Sequence, residues 1–111
     1  MNNKLLKLVD RFAGLRVGVI GEAMLDVYIE GDVSRICREA PVPVVTVSDE
    51  KAVPGGAANT AANLVSLGAS PRFLSVVGDD HEARILTRAL RAAGVATRDL
   101  LVHPRRRTLV K

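Results

Sequence analysis

Aromatic residues are nearly missing from this chain: its 111 residues include no tryptophan, one tyrosine and two phenylalanines, 3% in all. That scarcity argues against a surface that stacks nucleic-acid bases. Any core must be aliphatic, of the kind that parallel strands covered by helices build from Val, Leu, Ile and Ala. Cysteine is limited to Cys37, which excludes an intrachain disulfide and fits a cytoplasmic protein. No apolar run is long enough for a membrane span, since Arg16, Glu22 and Asp26 break the candidates early. A secretory leader is not evident either, and residues 1–15 read instead as an amphipathic helix, with Leu5, Leu6, Leu8, Val9 and Phe12 set among Lys4, Lys7, Asp10 and Arg11. The net charge of +4 is not spread over a face, because the acidic and basic residues balance as far as residue 104 and the excess lies in Arg105, Arg106, Arg107 and Lys111. So local a basic segment is a solvated tail or an anion site, and it is too narrow for a nucleic-acid partner. His81 and His103 lack neighbours that would make a metal or nucleophile site, and Asp79 and Asp80, just before a helical pattern, read as N-caps. No metal site is expected.

Glycine and alanine carry the most information. The run Pro54-Gly55-Gly56-Ala57-Ala58-Asn59-Thr60-Ala61 places a glycine pair at the mouth of an alanine-rich helix over about 56–67, where main-chain N–H groups can approach a ligand without a Cβ between them. Asn59 lies one turn inside. Gly68 is placed to end that helix as its C′ residue. The runs Arg16–Gly21 and Arg72–Val77 read as buried parallel strands, and His81–Ala93 as a helix with Ile85, Leu86, Ala89 and Leu90 on one face and Gly94 at its end. Val42–Val47, β-branched and interrupted by Pro43, reads as an edge strand that pairs with Val27–Val33 in a small antiparallel lid. Short strands near Val95 and over 108–111 would extend the main sheet. The fold class is α/β.

From Gly55-Gly56-Ala57-x-Asn59-x-Ala61, with six residues before Gly68 and nine more before Gly78, the chain resembles the ribokinase-like, PfkB-type carbohydrate kinases over about residues 16–111. Glu39-Ala40-Pro41-Val42-Pro43-Val44-Val45, with Met24-Leu25-Asp26 and Ser34-Arg35-Ile36, resembles in particular the branch that phosphorylates heptose 7-phosphate and carries a following adenylyltransferase domain; Cys37-Arg38 departs from it, where a serine and a proline are expected. The resemblance implies the N-terminal portion of a ribokinase-like doubly wound α/β sheet with a small β lid over about 27–53, all within one domain, 1–111.

By the same resemblance Asp26 holds sugar hydroxyls, a task for which a two-oxygen acceptor is suited. Gly55, Gly56 and Asn59 complete the sugar site, and Arg35, Lys111 and Thr108 are candidates near a substrate phosphate. The complete enzyme uses ATP and Mg2+, with a lid that pairs in a homodimer. Its Gly-Ala-Gly-Asp turn, which bears the general-base aspartate and an anion hole, and its Asn-x-x-Glu motif do not occur in these 111 residues. No catalytic residue is therefore expected here. The reading that follows is a fragment which supplies the sugar-binding and lid part of a kinase, without the ATP-binding part and inactive alone. One alternative is a non-catalytic sugar-binding or subunit-association module. Another, a dinucleotide-binding domain, rests only on Gly18-Val19-Ile20-Gly21.

Overall fold

The computed structural model describes residues 3–111. Its elements in order are α1 (Asn3–Asp10), β1 (Arg16–Ile20), β2 (Ala23–Ile36), β3 (Pro43–Gly56), α2 (Ala57–Ser66), β4 (Ser70–Gly78), α3 (His81–Ala92), β5 (Leu100–His103) and β6 (Leu109–Val110). They form two three-stranded sheets. One is parallel, in the order β1-β4-β5; the other, in the order β3-β2-β6, is an antiparallel hairpin with β6 added in parallel to β2.

Alternation along the strands decides which side of the parallel sheet is covered. Phe73 and Val77 of β4 and Val19 of β1 point to α2 and α3, where they meet Ala58, Ala61, Leu86 and Leu90 in one buried cluster. Small residues on α2 let that helix approach closely. The opposite face is apolar as well but open to solvent: Ile20 is 83% exposed, Leu101 65% and Leu74 39%. A doubly wound sheet buries both faces, and here only one is buried.

Each helix of the layer ends on a glycine with positive φ, Gly68 at 88° and Gly94 at 82°. In both places the next two amides turn back to the last helical turn: Gly68 N–H to the Val65 carbonyl and Ala69 N–H to that of Leu64, then Gly94 N–H to Arg91 and Val95 N–H to Leu90. These are Schellman closures, which set an apolar residue just past the glycine. Val95 is therefore buried as a plug and forms no strand, contrary to expectation. The third strand of the parallel sheet is β5, five residues later.

Further expectations are corrected. The N-terminal helix covers only Asn3–Asp10, because turns follow and Gly14 takes a φ of 83°; it has no buried residue, and the start of the expected helix, residues 1–2, lies outside the described residues. Residues 109–110 extend the hairpin sheet and not the parallel one, since Met24 and Leu25 offer their free edge to Leu109 and Val110. The hairpin itself runs from Ala23 to Gly56, longer than the anticipated 27–53. Its base packs on α3, and its far part stands clear of the body. The Cα radius of gyration, 18.2 Å, shows that projection; a compact chain of this length would have about 13 Å.

Packing on one face makes a contrast that mutagenesis can read. Phe73→Ala should lower stability to urea by about 3–5 kcal/mol, whereas Leu101→Ala on the open face should change it by about 0.5 kcal/mol or less.

Candidate sugar site at the base of the hairpin

Leu25 and Val27 of β2 turn toward the core, so the pleat turns Asp26, between them, to the other face. There the backbone leaves it room. A Cβ built on Gly55 would stand 2.5 Å from Asp26 Cγ and 2.6 and 2.7 Å from its two oxygens. Gly55 is diagonal to Asp26 across the hairpin, where Asp26 pairs with Val53 and Met24 with Gly55. No other residue type fits beside this carboxylate as it stands.

Lys111 arrives at the same place from the other side. Its N–H donates to the Leu25 carbonyl at 3.0 Å and its carbonyl accepts from Val27 N–H at 2.8 Å, which makes it the cross-strand neighbour of Asp26. Lys111 Nζ lies 3.3 Å from Asp26 Oδ1. That is ion-pair distance without hydrogen-bond geometry. Oδ1 is thus buried with no hydrogen-bond partner among the described residues, an expensive state that a donor from a ligand would relieve.

Gly56 and Asn59 occupy the same end of the hairpin. Gly56 takes φ 57° and ψ −131°, reserved for glycine, and a Cβ there would meet the Glu22 carbonyl at 2.7 Å. It turns β3 directly into α2, whose first amide, Ala57 N–H, donates to Glu22 at 2.9 Å. Asn59 follows in the first turn of α2 and is exposed. Asp26, Gly55, Gly56, Asn59 and Lys111 therefore share one end of the hairpin. Arg35 does not: it is exposed opposite Val44, near the tip, nine residues from Asp26 and so about 30 Å away along the strand. Within one chain it is not part of this corner.

Other polar residues that hold the corner carried no motif. Ser75 Oγ donates to the Gly21 carbonyl at 2.6 Å and accepts from Ala23 N–H at 2.9 Å, so it fastens the β1–β2 turn to β4. Glu22 pairs with Arg106 at a cleft of about 460 Å³ beside Ile20, Leu74 and Leu101. Asp80 caps α3 through Ala83 N–H at 2.8 Å, as expected, and also holds Thr108. Single serines, glutamates and aspartates gain such roles from partners tens of residues away, and only the Gly78-Asp79-Asp80 end of the signature hinted at one. A larger cleft, about 590 Å³, runs along α3 past Arg84, Arg88 and Arg91 and contains none of Asp26, Gly55, Gly56 or Asn59. Among the described residues no group of three His, Cys, Asp or Glu could hold a metal ion, and no helix is long and apolar enough to cross a membrane.

Comparison with known proteins matches residues 15–111 to the pfkB family of carbohydrate kinases. The chain belongs to this family. It is 43% identical over 107 residues to the bifunctional protein HldE of Paramagnetospirillum magneticum, with 96% of the chain and 22% of that protein covered. To the HldE of Hyphomonas neptunium it is 52% identical over 86 residues, 78% of the chain and 18% of that protein. The chain thus spans about a fifth of the length of these curated relatives. Among solved structures, Arabidopsis thaliana ribokinase complexed with ribose and ATP superposes with a TM-score of 0.64 at 22% identity, over 86% of the chain and 30% of the ribokinase. Xylella fastidiosa fructokinase with bound ATP gives 0.67 at 21%, over 87% and 28%. The fold is ribokinase-like α/β. The family also disposes of the dinucleotide alternative, for which the structure gives a physical reason: β1 leads through Gly21 into a hairpin strand and not into a helix.

Two expectations follow from the geometry. In Gly55→Ala the added methyl displaces the Asp26 carboxylate, so an NMR or crystal structure of the variant should show the Asp26–Lys111 pair broken and β1–β4 pairing retained. For Asp80, burial pushes the carboxyl up, but hydrogen bonds from Thr108 and Ala83 and the charge of Arg107 outweigh it and hold the group below its ordinary value. With the folded value depressed, the resulting stability is complete above the unfolded value of about 3.9. It is lost as pH falls through the folded value. The pH-dependent advantage of the wild type over Asp80→Ser in thermal unfolding should therefore be full at neutral pH and vanish in acid.

Proposed function

We propose that the Asp26 corner is the sugar-hydroxyl site of an ATP-dependent carbohydrate kinase, and that this chain supplies its sugar-binding and lid part. The buried, unbonded Asp26 Oδ1 beside Lys111 carries the reading. A carboxylate so placed accepts hydrogen bonds from adjacent hydroxyls, and an ammonium next to it answers an anionic group on the same sugar. A sugar phosphate meets both requirements. Heptose 7-phosphate is the first candidate, supported by the Glu39–Val45 segment and by the identity to bifunctional HldE proteins.

ATP and Mg2+ belong to the complete kinase. The ribokinase and fructokinase structures that carry ATP support its use as phosphoryl donor, and ATP use suits a cytoplasmic enzyme. No residue among these 111 is assigned to the nucleotide, and no Gly-Ala-Gly-Asp turn is present to supply the base or the anion hole. Transfer depends on positioning and on neutralising the transferred group, so these residues by themselves bind sugar and do not phosphorylate it. The far part of the hairpin exposes Ile29, Val33, Ile36 and Val47 on an unsupported two-stranded ribbon. Such a ribbon is marginal alone, and a second copy of the chain would cover it as a homodimer.

Isothermal titration with heptose 7-phosphate, fructose 6-phosphate and ribose tests the site. Saturable binding of one sugar is expected, weakened about tenfold or more by Asp26→Ala, the loss of a hydrogen bond to a charged group. Lys111→Ala should affect the phosphorylated sugars more than ribose. ADP should not form from ATP. A folded chain that binds no sugar would refute the assignment, and turnover of ATP would refute inactivity.

A further inference from the structure

We infer that Asp80 is a positioning residue for the sugar corner, acting through Thr108 to set where Lys111 stands beside Asp26. This rests on the reading of Asp26 and Lys111 as a sugar-phosphate site. Asp80 lies two residues past the end of β4, as the N-cap of α3, and a helix cap requires only one of its oxygens. Oδ1 accepts from both Ala83 N–H at 2.8 Å and the Thr108 hydroxyl at 2.7 Å, while Oδ2 accepts from Thr108 N–H at 2.8 Å. The Thr108 oxygen in turn accepts from Gly78 N–H at 3.0 Å. Thr108 is buried, 7% exposed, in a segment whose neighbours are exposed. The chain is therefore gripped at one residue, by both its backbone and its side chain.

Gly78 shows independently that this approach is built in. A Cβ there would come within 2.4 Å of both the Arg106 carbonyl and Asp80 Oδ2, and 2.9 Å of Thr108 N. Only a glycine lets the 106–108 segment lie so close to the end of β4.

Lys111 is the third residue after Thr108, about 10 Å of extended chain with no slack. β6 is two residues long, too short to fix its own register. What places Lys111 is thus the clamp at Thr108 together with the two hydrogen bonds to Leu25 and Val27. Asp80 touches no sugar in this arrangement; it decides where the ammonium is.

Two variants separate the clamp from the helix cap. Asp80→Ser keeps a good N-cap but cannot serve both groups of Thr108; Thr108→Val keeps the shape and removes the hydroxyl. Amide hydrogen exchange on the folded 111-residue chain is the first readout. Exchange at Lys111 and Val27 should rise about tenfold in both variants, the loss of roughly one hydrogen bond, with β1–β4 amides unchanged and Thr108→Ser close to wild type. Unchanged exchange at Lys111 and Val27 would overturn the clamp. Titration with heptose 7-phosphate and fructose 6-phosphate is the second. The clamp variants should weaken sugar-phosphate binding as Lys111→Ala does, and ribose binding much less. Clamp variants that bind sugar phosphate like the wild type, where Lys111→Ala does not, would overturn the positioning role. If Lys111→Ala itself changes nothing, the phosphate reading of Lys111 fails, and exchange alone decides whether Asp80 positions the segment.

Discussion

The alternation of β2 at Leu25, Asp26 and Val27 is the constraint on which the rest depends. Two apolar side chains go inward to α3 and the core, and the pleat leaves the carboxylate between them no choice of face. A slip of one residue would bury Asp26 in the aliphatic core and expose Leu25. The energetic preference for burying Leu25, which is 1% exposed, is thus also what aims the carboxylate. Packing and site geometry are one decision here.

Around that strand the chain uses three kinds of accommodation. Gly55 leaves the volume the carboxylate needs, Gly56 turns β3 into α2 with a backbone conformation closed to other residues, and Gly78 lets the 106–108 segment approach. Polar side chains then join pieces that the hydrophobic layer does not hold: Ser75 ties β4 to the turn before β2, and Asp80 ties it to the segment that carries β6. Ser75 lies within β4 and Asp80 two residues beyond it, and β4 is the centre strand of the parallel sheet. It is the most fixed element available, with a strand on each side and helices over one face.

Exposure of the remaining apolar surface is not distributed at random. Ile20, Leu74 and Leu101 share the uncovered face of the parallel sheet, while the far hairpin presents a second apolar surface. Family membership accounts for the first in general terms, since ribokinase-like sheets are covered on both sides. Neither surface contains the proposed sugar corner at the root of the hairpin.

Local signals were enough for much of this. The glycine–alanine signature, the two apolar strands and the helices with their glycine ends could all be read from the sequence, because turn chemistry, helix periodicity and strand alternation act over a few residues. Asp80 was legible as a cap for the same reason. Its grip on Thr108 was not, because hydrogen bonds across 28 positions leave no trace in local pattern. Val95 illustrates the opposite error: a β-branched residue after a glycine looks like a strand start, yet the Schellman closure claims it. Arg35 belongs with Asp26 in the motif and lies at the other end of the hairpin in space. Sequence by itself determined the family and most of the elements. Tertiary structure alone decided that Lys111 stands beside Asp26, that β6 joins the hairpin and that one sheet face is open, because pairing partners are chosen by free edges and surfaces brought together only on folding.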